Sequence, residues 1–298
     1  MKAVVSALVL VLTLSASAES EAPPVESVIV TAPAQRPEDA LNQFIISHAA
    51  PTPALGKIAR WKRGICPITI GLPGKFDAFI TQRLIRVAMM AKVPLDQAEP
   101  CRPNVLVLAT DKPLDLLDFV RAKRPALLGF HYRGHAQKLA TMTLPIQAWY
   151  STATEDFYGF LSADLPSFDL GYGVMSSNSE IPGMHVSGSR NGDGLKSEFA
   201  TAIIVVDTRK IAGQQIGALA DYIAMLALSQ ANTYAVCQPV PTITNLMSDK
   251  CDAALKPQAI TDIDATYLRG LYGMDAGRSL QGERSSIAYE MKKDLGGY

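Results

Sequence analysis

The spacing of apolar residues divides the first half of the chain into helices and strands. After Pro37, apolar residues recur at helical intervals, and the histidine that ends this run is expected to pack and hydrogen-bond rather than to bind a metal. These positions are Leu41, Phe44, Ile45 and His48. Further along, two strand signals alternate with two helix signals, which predicts a small sheet covered by helices. They are the strands Cys66–Leu72 and Asn104–Ala109 and the helices Phe76–Lys92 and Leu114–Lys123.

The second half contains strand signals, a turn-rich stretch and then helices. Thr143–Tyr150 predicts a strand, and the residues rich in Ser, Gly and Asn up to Gly194 predict turns. The alternating runs His185–Ser189 and Phe199–Val206 predict a β-hairpin whose second strand reaches Asp207. Helix signals follow at Ile216–Ala231, Thr261–Gly273 and Glu283–Leu295.

These elements together predict an α+β fold, with a mixed sheet and covering helices. We expect a single domain over residues 39–298, with residues 39–138 and 139–298 as sub-lobes within it. With 48% hydrophobic and 19% charged residues, the chain has the composition of a globular protein rather than of a disordered one.

The first residues have the features of a secretory signal peptide. Lys2 supplies a positive charge, Ala3–Leu14 an apolar region and Ala16–Ala18 a small-residue site, so cleavage after Ala18 is expected. The apolar run is shorter than the roughly 20 residues that a membrane span requires. No later stretch is long and apolar enough, so we expect no membrane span in the mature chain. The sequence therefore predicts a periplasmic or secreted protein.

The segment of residues 19–38 is rich in Pro, Ala, Glu and Val, and it is expected to be a flexible linker. Within it, Ser27–Ala32 resembles the opening strand of the plugs of TonB-dependent receptors. We interpret this short match as a linker or an edge strand.

Charge and cysteine content narrow the classes of function. Without Lys2 the chain has 27 basic residues (28 − 1) against 28 acidic ones, which argues against a nucleic-acid-binding protein. Four cysteines without a C-x-x-C spacing predict disulfides rather than a metal site in an exported protein. Of three connectivities we favour Cys66–Cys101 and Cys237–Cys251, because each pair lies within one half of the chain.

The order of segments between Ala202 and Gly273 is the main indication of ancestry. An apolar run, Ala202–Asp207, leads into the helix Ile216–Ala231, and a proline-bounded turn follows at Pro241–Met247. The last helix has Asp264 near its start and ends in Leu271-Tyr272-Gly273. This order resembles the C-terminal half of the zincin metalloproteases, in its matrixin-like form. The resemblance implies a zincin-like arrangement in the C-terminal half of the chain.

The residues that would bind zinc are absent from this resemblance. Zincins carry H-E-x-x-H on the helix, in which two histidines bind zinc and the glutamate activates water; many add a glycine and a third histidine. Methionine, leucine and alanine cannot complete such a site, and a tyrosine with a pKa of about 10 is a poor general base. The resemblance implies a pseudoenzyme, or a scaffold that never carried zinc, without catalytic residues, metal ligands or cofactor. The replaced positions are Asp221, Tyr222, Met225, Leu228 and Ala231.

Other interpretations stay open. The helix Ile216–Ala231 also fits other α+β folds, and Thr261 with Asp264 predicts a helix-capping box in any fold. The weak candidates for a metal site are His131 and His135, which are four residues apart. Their glycine and aromatic neighbours favour a strand or loop, where that spacing has no special meaning.

Two main hypotheses of function follow. The first is an exported, non-catalytic protein with a degenerate metalloprotease-like domain, which acts as a binding or envelope-structural module for an unknown protein or envelope partner. The alternative is a periplasmic hydrolase with a non-standard site near His131 and His135, together with Glu155 or Asp156. A third hypothesis is a TonB-linked partner that acts through Ser27–Ala32. The C-terminal helix is expected to dock on the core or on a partner.

Overall fold

In the described part of the chain, six strands lie in one mixed sheet with six α-helices packed around it, which confirms the predicted α+β fold class. The computed structural model describes residues 36–129, 139–164, 184–190, 192–231 and 234–296. The strands are β1 Ala59–Arg60, β2 Pro67–Ile70, β3 Val105–Thr110, β4 Ile146–Glu155, β5 Leu161–Ala163 and β6 Lys196–Asp207. The helices are α1 Pro37–His48, α2 Gly74–Met90, α3 Pro113–Lys123, α4 Ile216–Leu228, α5 Asp262–Gly273 and α6 Leu280–Asp294.

Strand β6 is central in the sheet, whose order is β2-β3-β6-β4-β5. Strands β2, β3 and β6 run parallel, and β1 pairs in parallel with the first residues of β6. On the other side of β6, β4 is antiparallel to it, and β5 is antiparallel to β4. The parallel pair β2–β3 is connected by helix α2, as parallel strands require a crossover.

The antiparallel partner of β6 differs from the prediction. The hairpin predicted between His185–Ser189 and Phe199–Val206 is wrong, because β4 fills that position with pairs that run from Ile146–Val206 to Glu155–Lys196. Strand β4 has ten residues, so it can form a long ladder of backbone hydrogen bonds with β6. The backbone of His185 is used elsewhere: its carbonyl accepts from the amide of Phe157, and its amide donates to Asp156.

Alternating residues of β6 serve two hydrophobic cores. Ala202, Ile204 and Val206 face the larger core, which contains α1, α2, α4, α5 and α6. Ile203 and Val205 face a smaller core that is closed by α3 and the short 3₁₀ helix Pro125–Leu128. A strand buried on both faces is apolar at every position rather than at alternate ones, which explains the continuous run from Ala202 to Val206.

Helix α4 is buried on all sides from Ala218 to Leu228. It packs against α2, against β4 and β6 of the sheet, and against the 3₁₀ turn Ile243–Asn245. A helix that is hydrophobic all round is expected in such a position. The buried face of α2 carries Ile80, Leu84, Val87 and Ala88, whereas Phe79 is 36% exposed.

Several local predictions are confirmed. The disulfides are Cys66–Cys101 and Cys237–Cys251. Thr261 caps α5 in a capping box with Asp264. The C-terminal helix α6 packs on α5 and α1, so it docks on the core. The segment of residues 1–35, with the predicted signal peptide and Ser27–Ala32, lies outside the described residues, as do His131 and His135.

Candidate functional site

Four of the five positions that the zincin resemblance assigns to a zinc site lie in the core of the protein. Asp221 is buried, and its carboxylate accepts from the Arg83 guanidinium on α2 at 2.8 Å and from the amide of Ile260 at 2.9 Å. Tyr222, Met225 and Leu228 are also fully buried. Neither Asp221 nor Tyr222 lies on an exposed face of the helix, because both side chains point into packed surroundings.

Tyr222 has no role as a base in this setting. Its hydroxyl is buried and has no hydrogen-bond partner among the described residues. Burial raises the pKa of Tyr222 well above its ordinary value of 10.0, because the charged phenolate would lose its hydration. A group that keeps its proton at every physiological pH cannot accept one from water.

The C-terminal end of α4 is closed by aromatic hydrogen-bond donors. The last carbonyls of a helix have no partner within the helix. Here the Leu226 carbonyl accepts from the Tyr150 hydroxyl at 2.6 Å, and the Leu228 carbonyl accepts from the Tyr272 hydroxyl at 2.8 Å. The Trp61 indole donates to Ala227, and Tyr150 and Tyr234 both donate to Ser229. These bonds fix the end of the helix within the core.

The turn after α4 is tied to helix α5 by one carboxylate. Asp264 accepts from the Thr242 hydroxyl, from the amide of Ile243 at 3.0 Å and from the amide of Thr261 at 2.9 Å. Burial raises the pKa of Asp264, while these donors oppose the shift. The carboxylate therefore holds the turn Pro241–Met247 against the start of α5, and its hydrogen bonds are structural.

His48 is a packing residue, as the sequence predicts. Its Nδ1 donates to the carbonyl of Phe44 at 3.1 Å, which leaves Nε2 to accept from the Thr244 hydroxyl at 3.0 Å. The ring stacks on Phe44. Burial lowers the pKa of His48 to about 4, so the ring is neutral at pH 7.

A small cavity lies beside the end of α4. It has a volume of about 380 Å³ and lies between β4 and the residues that follow the helix. Ala231, at the position of the third zinc ligand, is part of its wall and offers only a methyl group. The described residues of the wall include Trp149, Tyr150 and Tyr234, and none of the described wall residues is charged. The wall therefore supplies no carboxylate, imidazole or thiolate donor from the described part of the chain.

Two buried glutamates form a proton-sharing pair at the ends of β4 and β6. The carboxyl groups of Glu155 and Glu198 lie within hydrogen-bonding distance of each other. Burial and the neighbouring Glu155 raise the pKa of Glu198 to about 7. Burial opposes ionisation of Glu155 as well, but its hydrogen bonds with Glu198, Lys62 and Lys196 lower its pKa to about 2. Below about pH 7, one proton is thus shared by the two carboxyl groups.

Three cations surround this glutamate pair. Lys62 contacts both carboxylates, Lys196 lies 3.1 Å from Glu155, and Arg63 lies 3.7 Å from Glu198. Glycosidases require about 5 Å or more between two catalytic carboxyl groups to leave room for the sugar or for water. A hydrogen-bonded pair is too close for that reaction, so the cluster is better explained as an ion network that closes the end of the sheet.

The next residue, Asp156, organises a turn between β4 and β5. Its carboxylate accepts from the amides of Tyr158 at 2.9 Å and Phe160 at 2.8 Å, and from the amide and Nδ1 of His185 at 3.2 and 2.8 Å. Burial opposes ionisation, but these donors lower the pKa of Asp156 to about 2. The bond to Asp156 places the Nδ1 hydrogen of His185, so Nε2 of the half-exposed ring points away from the carboxylate.

The turn that Asp156 holds is unusually apolar for a surface. We call residues 157–161 the aromatic turn; its side chains Phe157, Tyr158 and Phe160 are 53%, 69% and 61% exposed. The His185 ring contacts Tyr158 and Phe160. Leu161 and Val186 are exposed beside them. A contiguous exposed apolar patch of this kind marks an interaction surface more often than isolated apolar residues do.

Sequence reasoning did not single out His185 or Glu198. A signal for Glu198 existed, because a carboxylate inside a long apolar strand needs buried partners. The pairing of Asp156 with His185 joins residues 29 positions apart, which no local pattern shows. Among the residues that the structure describes, no group of three or more His, Cys, Asp or Glu side chains is arranged to hold a metal ion.

Comparisons with models of protein families, with curated proteins and with solved structures find no match to this chain.

Proposed function

We propose that the protein is an exported, non-catalytic binding or envelope-structural module whose C-terminal half is a degenerate metalloprotease-like domain. The observation that carries this proposal is the burial of Asp221, Tyr222, Met225 and Leu228 on helix α4. A catalytic zinc site keeps an open coordination position for water, so its helix must present the ligands to a cleft.

The bonding of each position supports the same conclusion. Asp221 is the single residue of the set with a ligand chemistry, and its oxygens are already engaged with Arg83 and Ile260. The side chains of Met225 and Leu228 lie in the hydrophobic core. A function through zinc hydrolysis at this helix would require the core to open, so we assign the function to binding at the surface.

Export is supported by the chemistry of the chain. The two disulfides are consistent with an oxidising compartment. In the described segments of the chain, no helix is long and apolar enough to cross a membrane. The signal peptide, its cleavage after Ala18 and a periplasmic or secreted location are part of the proposal.

Elemental analysis of the protein, expressed with export and purified without chelators or metal-affinity resins, tests the proposal. We expect far less than one zinc ion per folded chain, and no degradation of casein. Near-stoichiometric zinc that disappears in a His131→Ala/His135→Ala variant would overturn the proposal in favour of the hydrolase alternative. His185→Ala is the matched control, since it removes a histidine from a different segment of the chain.

A further inference from the structure

We propose that the aromatic turn, residues 157–161, inserts into the interface of a lipid bilayer that contains anionic lipid. This inference rests on the proposed function and names the partner of the module. It concerns a surface contact and requires no membrane span.

The shape and chemistry of the aromatic turn are suited to the surface of a bilayer. Phe157, Tyr158 and Phe160 lie at the end of the β4–β5 hairpin, and each is more than half exposed. Aromatic side chains of this kind are enriched at the boundary between lipid headgroups and acyl chains, where an apolar ring and a polar hydroxyl are both accommodated. A projecting hairpin end can enter a bilayer surface, whereas a protein partner would need a matching groove.

The backbone of the aromatic turn is also held rigidly. Four hydrogen bonds to the carboxylate of Asp156 fix the backbone of the turn and the ring of His185. Gly159 gives the turn its left-handed residue, at φ 89°. Because the apolar side chains are held exposed before any contact, insertion does not require the backbone to be ordered first.

A cluster of positively charged side chains lies next to the aromatic turn. Lys62 and Lys196 both contact Glu155, the residue at the base of the turn, and Arg63 lies beside Glu198. A Cβ placed on Gly159 would lie 4.0 Å from a Glu155 oxygen, so this cluster adjoins the turn directly. The pKa of Glu198 is about 7, so at neutral pH the three cations face the ionised Glu155 and Asp156 and a partly protonated Glu198, which leaves a small net positive charge beside the turn. Cations near an anionic bilayer each contribute about 1 kcal/mol of attraction, and the same cations on a second copy of the chain would repel.

The direct test is co-sedimentation of the exported protein with vesicles of phosphatidylglycerol and phosphatidylcholine. The N-terminus of the purified protein is first determined by mass spectrometry. We expect the triple variant Phe157→Ser/Tyr158→Ser/Phe160→Ser to lower the partition coefficient at least about tenfold. Arg63→Gln is expected to lower it about fivefold. Phe119→Ser and Tyr289→Ser are the matched controls; these aromatic residues are 60% and 67% exposed on other surfaces and should leave binding unchanged.

A fluorescent variant gives a second readout that does not depend on loss of binding. The chain has two tryptophans, Trp61 and Trp149, and both are buried. In Tyr158→Trp, the new indole should shift to shorter emission wavelengths on addition of the vesicles and should be quenched by brominated lipid. Phe119→Trp should show neither change. Since Tyr158 is 69% exposed, the substitution should not disturb the core, and this variant keeps the test available if the triple variant does not fold.

Three results would overturn the inference. The first is no binding of the folded parent protein to phosphatidylglycerol vesicles, and the second is equal binding by the parent and the folded triple variant. The third is a parent dimer that the triple variant disrupts without any vesicle binding, which would assign the turn to self-association. If the protein contains no zinc and does not bind vesicles, the proposed binding function is still supported, and only the bilayer is excluded as its partner.

Discussion

Glu198→Gln is expected to make the stability of the protein more sensitive to acid. The buried Glu198 and the buried His48 have opposite effects on the free energy of unfolding as the pH changes, and the variant removes the effect of Glu198. Burial and the neighbouring Glu155 raise the pKa of Glu198 from 4.5 to about 7. The folded state therefore holds a proton that the unfolded state releases, and this stabilisation is present below pH 4.5 and is lost as the pH rises to about 7. A pKa difference of 7 − 4.5, at about 1.36 kcal/mol per pKa unit, corresponds to about 3 kcal/mol.

His48 acts in the opposite direction over nearly the same range. Burial lowers its pKa from 6.5 to about 4, so between these values the unfolded state binds a proton that the folded state excludes. This contribution is present above pH 6.5 and falls by about 3 kcal/mol as the pH decreases to 4. The slopes from Glu198 and His48 are therefore expected to cancel to within about 1 kcal/mol between pH 4.5 and 6.5.

Urea unfolding, followed by the fluorescence of the buried Trp61 and Trp149 at constant ionic strength, measures both slopes. Relative to the wild type, the free energy of unfolding of Glu198→Gln should rise by about 3 kcal/mol from pH 4.5 to pH 7, because the variant lacks the contribution of Glu198. Relative to the wild type, that of His48→Asn should fall by about 3 kcal/mol from pH 4 to pH 6.5, because the variant lacks the contribution of His48. The slope is compared rather than the absolute stability, because asparagine also loses the packing of the imidazole on Phe44.

Glu290→Gln on α6 is the control for this experiment and should keep the wild-type profile. Other buried carboxyl groups, such as Asp264 and Glu283, have raised pKa values, but they contribute equally to the wild type and to each variant. Parallel profiles of Glu198→Gln and the wild type between pH 4 and 7 would refute the assignment of the shared proton to Glu198.

Three further predictions concern stability, each measured by urea unfolding at pH 7. Arg83→Met should lower the free energy of unfolding by about 3–5 kcal/mol, because it leaves the buried Asp221 without its cation. Arg83→Met/Asp221→Leu should recover most of that loss, and a double variant as unstable as the single one would contradict this prediction. Tyr222→Phe should stabilise the protein by about 1 kcal/mol, since it removes an unpaired hydroxyl, whereas Tyr272→Phe should destabilise it by about 1–3 kcal/mol, since it leaves the Leu228 carbonyl unpaired. Cys237→Ser/Cys251→Ser should lower the stability by about 3 kcal/mol, as expected for a cross-link that spans 14 residues, and an unchanged midpoint would argue against that cross-link in the folded protein.

The sequence predicts those parts of the fold that depend on local periodicity. Helices α1, α3 and α5 lie where their apolar spacing places them, because the buried face of a helix repeats within a few residues. The partner of β6 could not be predicted in the same way. The run around His185 and the strand β4 both alternate, and the choice between them is decided by the length of the ladder and by the bonds of Asp156 to His185.

The candidate site was less predictable than the fold. The exposure of Phe157, Tyr158 and Phe160 is opposite to what their hydrophobicity indicates, and it depends on a carboxylate that bonds to a segment 29 residues away. Likewise, the proton shared by Glu155 and Glu198 arises from two strands that meet only in the folded sheet. Functional surfaces depart from local rules in this way, because the sequence there serves a contact outside the chain.

The bonding of α4 also shows what a zinc site on this helix would require. Histidines in place of Asp221 and Met225 and a glutamate in place of Tyr222 would put three polar groups inside a packed core, with several kcal/mol of desolvation for each charge. Arg83 would lose its partner, and the aromatic donors on the carbonyls of Leu226 and Leu228 would still hold the helix end closed. A zinc site would therefore need changes in α2, β4 and α5 as well as in α4. This interdependence supports a binding role at the surface, where the aromatic turn can change without disturbing the core.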